Sequence, residues 1–226
     1  TNYYYSFIQI CGLSRPAFIR TVSSKHKKTV MNDFTQFKNW LKNFSFLTEK
    51  DCNLFEPYMQ IKRIKKKDVL LGEGQVCREL GFINDGVFRM YYLADGKEIN
   101  THFSFENDFV VNYHSFLQAT PSRYFIQSLE DAEIVTFNLK ALQNGYNESK
   151  NWERFGRIMA EQSYKMTTNR VEGFMFMDAE ERYMHMMKNS PHFLERIPLY
   201  HLASYLGIER ESLSRLRRKI TDKQRL

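Results

Sequence analysis

With 226 residues, 42% hydrophobic and 15% aromatic, the chain can bury one or two respectable cores. No apolar run approaches the roughly 18 residues that a membrane helix needs, so the expectation is a cytoplasmic protein without a membrane partner. The net charge of +7 points weakly to nucleic acid, because Arg15, Arg20, Lys25, Lys27 and Lys28 supply five of those charges within an acid-free 1–30.

Residues 1–30 have no clean apolar stretch and no small-residue cleavage site, and Met31 opens a more regular amphipathic pattern. They are expected to be an N-terminal extension, poorly ordered. From Asp33, Phe34, Phe37, Trp40, Leu41 and Phe44 recur at helical spacing, and a Thr-x-x-Asp cap predicts a second helix from Thr48 to about Met59.

Between about Ile61 and Thr136 the texture changes to short alternating runs. Asn84-Asp-Gly86 and Asp95-Gly96 are hairpin signals, since Asp-Gly tolerates the positive φ pair of a tight turn. Strands are expected at 82–84, 87–93, 98–105, 124–129 and 133–137. Many short strands joined by hairpins imply an antiparallel, jelly-roll-like β-roll within 31–148, and make the whole an α+β chain.

Residues 149–177 read as one long helix. Trp152, Phe155, Met159, Gln162, Met166, Asn169 and Gly173 fall on a 3–4–3–4 seam that predicts pairing with a second copy; the same face could also pack on its own roll. Asp178 and Glu181 cap a helix from Ala179 to Lys188, making Phe176–Asp178 a candidate hinge and 178–226 a separate C-terminal unit.

That unit carries the functional signal. Pro198 suits a helix start, Leu199, Leu202, Ala203 and Leu206 form an apolar stripe, and Gly207 supplies a positive-φ turn. A second helix begins near Glu209 with Leu213, Leu216 and Ile220 inward. Glu211, Ser214, Arg215 and Arg218 face the opposite way, with Arg210 and Ser212 at the flanks. Arg can bond guanine O6 and N7 together and a carboxylate can accept from cytosine N4, so the pattern has the form of a DNA-reading helix-turn-helix. From His192 to Leu226 eight Lys/Arg stand against four Asp/Glu, a surplus beside that helix that would bind phosphate.

The run Gly207-Ile-Glu-Arg-Glu-Ser-Leu-Ser-Arg215 resembles the recognition segment of the Crp/Fnr superfamily of bacterial transcription regulators. The resemblance implies that Arg210, Glu211 and Arg215 touch base edges or phosphates, that the β-roll of 31–148 is a sensor domain, that the long helix is a dimer axis, and that RNA polymerase is a partner. It also implies a β-hairpin wing after the reading helix; the few residues after Ile220 leave that wing reduced or absent. Cys11, Cys52 and Cys77 are too scattered for a disulfide framework or zinc site and lack the clustering of the iron–sulfur members, so no cluster is expected.

Nucleotide-binding members hold the cyclic phosphate with a Gly-Glu pair some ten residues before Arg-[Ser/Thr]-Ala. Here Val111-Asn112 and Pro121-Ser-Arg-Tyr124 replace them, with the Arg displaced by one. Arg123 with Thr167 and Thr168, where the family offers hydroxyls to adenine, is what remains of an effector pocket, and no cyclic nucleotide or other cofactor is expected. Gly96-x5-His102-x3-Glu106 resembles part of a cupin motif, but Ser104 stands where a second His belongs. A cupin-like metalloenzyme on His102, Glu106 and His114 is therefore the rival reading, with a nucleotide sensor acting through protein contacts as a third. The favoured expectation is not an enzyme but a homodimeric regulator of double-stranded DNA with an unidentified small-molecule effector.

Overall fold

The computed structural model describes residues 34–223. Helix α1 (Thr35–Leu41) buries Phe37 and Leu41, and α2 (Glu49–Asn53) opens on the expected box, with Thr48 and Asp51 exchanging side-chain and backbone bonds. That helix stops early. Pro57 has no N–H to continue it, and a 3₁₀ turn over Glu56–Tyr58 replaces the predicted run to Met59.

Eight strands follow: β1 (Gln60–Ile64), β2 (Val69–Leu71), β3 (Glu79–Asp85), β4 (Phe88–Ala94), β5 (Lys97–Ser104), β6 (Phe109–Val110), β7 (Phe125–Ser128) and β8 (Ala132–Asn138). They form two antiparallel four-stranded sheets, ordered β1-β8-β3-β6 and β2-β7-β4-β5, which is the expected roll. The β4–β5 hairpin turns on Asp95 and Gly96, at φ of 50° and 74°, the positive pair that Asp-Gly signals. Two short helices, α3 (Tyr113–Gln118) and α4 (Leu139–Glu148), were not anticipated.

The 27-residue α5 (Lys150–Phe176) runs out of the roll, and α6 (Ala179–Asn189) follows on the predicted Asp178/Glu181 box. Then come α7 (Phe193–Arg196), α8 (Leu199–Leu206) and α9 (Arg210–Lys223). The 1–30 extension and the last residues of the wing question lie outside the described residues.

Among the described residues two cores hold the chain. The first joins α1, both sheets and the start of α5, with Phe37, Phe82, Phe88, Ile126, Ile134 and Trp152 fully buried. The second crosses the boundary drawn at 178: Val87, Phe103 and Phe105 of the roll complete a cluster with Tyr183, Met186, Phe193, Leu202, Leu206, Leu213 and Ile220. The C-terminal helices therefore lean on the roll's outer face for part of their apolar burial.

Asp51 pins the start of α5. Its carboxylate accepts from Ser149 Oγ at 2.5 Å and Asn151 Nδ2 at 2.9 Å, while its carbonyl accepts from Trp152 Nε1 at 2.8 Å. Burial alone would raise this acid; the donors Ser149, Asn151 and Thr48 outweigh it and hold the pKa at about 2. A folded value below the unfolded one, about 4, means the stabilisation is present above that pH and lost as the pH falls toward 2. Urea unfolding followed by circular dichroism is expected to show that acid limb, and Asp51→Asn to flatten it.

Candidate nucleic-acid interface

Helix α8 closes as the sequence requires. Gly207 sits at φ 70°, ψ 33°, its N–H donates to Ser204 O and the Ile208 N–H to Ala203 O, a paired closure that only a positive-φ residue accommodates without strain. A Cβ at Gly207 would also come within 2.7 Å of the Phe174 ring. Ala203 is buried, and its small side chain lets α8 and α9 approach closely.

Leu213 and Ile220 of α9 point into the second core, with Leu216 half-buried beside them. The opposite face carries Arg210, Glu211, Ser214, Arg215 and Arg218, all exposed, with Ser212 half-buried at its margin. Arg215 makes only a long contact to Ser212 Oγ, 3.4 Å, and among the described residues no ion pair engages Arg210, Glu211, Arg215 or Arg218. The row is thus free of ion pairs within the described residues and open to solvent.

The first helix of the pair is anchored to the roll by polar groups. Ser204 Oγ donates to Glu98 O at 2.7 Å and accepts from Asn100 N at 2.9 Å. Beneath it the buried Arg89 meets Glu98 at 2.5 and 3.0 Å, Gln127 at 2.6 Å and His201 Nδ1 at 3.0 Å. Burial, then the Arg89 charge, push His201 down to about 4, so its neutral ring can accept from the guanidinium. Farther along, Arg196 bonds Glu106 at 2.6 and 2.7 Å and Glu130 at 2.6 Å.

Residues 61–149 match the cyclic nucleotide-binding domain family. No curated protein matches the sequence. Among solved structures, the chain is similar to a CooA variant from Carboxydothermus hydrogenoformans, at 18% identity over 87% of each chain and a TM-score of 0.64. It is similar to FixK2 from Bradyrhizobium japonicum at 14% identity, covering 74% of this chain and 86% of that one, TM-score 0.64. A Crp/Fnr-family protein from Eubacterium rectale follows at 15% identity, 82% and 88% coverage, TM-score 0.63. The chain has the Crp/Fnr fold.

Within this Crp/Fnr fold the expected pairing seam divides. Trp152 and Phe155 are buried in the first core and Met159 packs against it, so the start of α5 serves its own roll. Gln162 is half-buried, while Met166 and Asn169 are exposed. The larger apolar surface lies where the seam pattern did not point: Tyr164, Val171, Phe174, Met175 and Phe176 are all exposed, Phe176 by 77%. Their density at 171–176 was a visible signal, but periodicity weighs spacing and passed over an apolar run that goes round the helix.

The residues expected to line an effector pocket do not form one cluster. Arg123 is exposed, Thr168 half-buried, and Thr167 donates to Ser163 O of its own helix. The segment 112–124 that carries Arg123 is closed on itself: Asn112 Nδ2 donates to Ser122 Oγ at 2.8 Å, Ser122 Oγ to Tyr124 O, and Ser115 Oγ to Thr120 O. A cavity of about 80 Å³ opens elsewhere, where α5, α6 and α8 meet, lined by Met166, Arg170, Phe174, Arg182 and Tyr205 among others, and none of Arg123, Thr167 and Thr168 lines it.

The residues of the metal reading are likewise dispersed. Glu106 is committed to Arg196 and to the Gly86 N–H, and His114 stands exposed on α3. Burial and the nearby Arg170 charge push His102 down to about 4. Among the described residues no group of three His, Cys, Asp or Glu gathers to hold a metal.

Proposed function

We propose that this chain is a sequence-specific DNA-binding transcription regulator that acts as a homodimer, with the β-roll as its regulatory domain and RNA polymerase as a downstream partner. The observation that carries the reading is the exposed row Arg210, Glu211, Ser214, Arg215 and Arg218 above a buried Leu213 and Ile220. Uncovered apolar residues along the second half of α5, from Tyr164 to Phe176, support pairing with a second copy, since a face of that kind is stable when another surface buries it. Two such chains would address a roughly palindromic duplex with half-sites about 34 Å apart.

The self-bonded loop at Asn112, Ser115 and Ser122 supports regulation by something other than a cyclic phosphate: a different small molecule or a protein contact at the roll would shift the population of reading-helix positions. Selection of duplexes from a random library, with sedimentation of the free protein, tests the reading. A two-fold-symmetric consensus, a dimer in solution and an affinity that drops steeply with salt are expected. Equal retention of all sequences, or a monomer at micromolar concentration, would sink it.

A further inference from the structure

The carbonyls at the end of a helix have no intrahelical partner, and in α8 two of them are held from outside. Arg170 Nη2, on α5, donates to Tyr205 O at 3.1 Å and also to Asn100 O of β5 at 3.1 Å. Arg182, on α6, donates to Leu206 O at 3.1 Å and to Met177 O at 2.6 Å. The Arg170 guanidinium lies 4.2 Å over the Tyr205 ring and 4.9 Å from that of Phe174, whose edge abuts Gly207. One nitrogen thus ties together the roll, the long helix and the turn that aims α9.

We propose that Arg170 is a positioning residue for DNA reading: it fixes the Gly207 turn, and hence α9, relative to the part of α5 that a second copy would cover. The proposal rests on the DNA-binding reading and names the joint through which the two halves of the dimer set their half-site distance. Tyr164, Met166, Val171 and Phe176 stand exposed on the same stretch of α5, so a change in how two long helices pack moves Arg170 and Phe174 together. The cavity of about 80 Å³ that both residues line leaves this joint room to shift, unlike the close-packed cores on either side.

Spacing selectivity is the readout that a merely structural residue would not move. With the duplex selected by the wild-type protein, the ratio of affinities for the selected half-site spacing and for spacings one base pair longer and shorter is measured by fluorescence anisotropy. Arg170→Gln should keep the dimer and reduce that ratio by roughly tenfold, the scale of losing charge-assisted bonds at a half-buried joint. Ile134→Val, which trims the roll core far from the turn, should lower the melting temperature and leave the ratio at its wild-type value. If Arg170→Gln does not fold, Arg170→Lys is read instead; its ammonium keeps the charge without the planar fork, and a several-fold reduction is expected. A wild-type protein that selects no duplex defeats the DNA-binding reading and this proposal with it. One that selects a duplex whose spacing ratio survives in the folded Arg170 variant overturns the positioning role alone.

Discussion

Arg215→Ala is expected to abolish sequence-specific retention while the protein stays folded and dimeric. A bidentate Arg–guanine pair discriminates by about 1–3 kcal/mol, and a symmetric dimer makes two, so the loss is about 2–6 kcal/mol, at least roughly 30-fold in Kd. Stability should hardly change, because Arg215 is exposed and its one side-chain bond, to Ser212 Oγ, is long at 3.4 Å. Competition against unrelated DNA separates specific from electrostatic loss: the Arg215 variant should keep its background affinity and lose its preference. Equal specific affinity in wild type and variant would remove base reading from α9 and leave only a basic surface.

That helix was legible because its signals are local. A positive-φ glycine, an apolar stripe and an outward Arg/Glu row all lie within a few residues, as do the Asp95-Gly96 turn and the Asp178/Glu181 box, and each has one backbone solution. The features that were not legible depend on partners distant in sequence. Strands β1 and β2, each at the edge of its sheet, flank the basic run 62–67, in which Lys62 and Arg63 belong to β1 and Lys65, Lys66 and Lys67 to the turn between the two, so that charge masks the alternation. The anchoring of α8 needs Arg89 to meet His201, 112 residues away, and no spacing rule joins those two. Likewise the cap at Thr48 is a start signal and says nothing about where α2 ends, so the end at Asn53 ahead of Pro57 is not in the pattern.

Trp152→Ala decides what the first turns of the long helix do. Periodicity identifies which face of a helix is apolar but not what covers it, and a seam that begins at Trp152 would read the same against a second copy as against the chain's own roll. In the structure Trp152 is 1% exposed, its Nε1 bonds Asp51 O, and its ring lies 4.3 Å from Phe55 and 4.9 Å from Phe155. Removing it leaves a cavity and takes from the Asp51 carbonyl one of its two donors, the Leu54 N–H remaining, a cost of about 3–5 kcal/mol out of a total of roughly 5–15. For a chain of this length that lowers the melting temperature by roughly 6–20 °C, measurable by circular dichroism. Replacing an exposed residue farther along, Phe176→Ser, has the opposite signature, an almost unchanged melt with a weaker dimer, because that side chain has solvent around it in the single chain. If Trp152→Ala instead gave a well-folded monomer, the pairing surface would begin at the start of α5, and the roll would have to be stable without the residue that now closes its core.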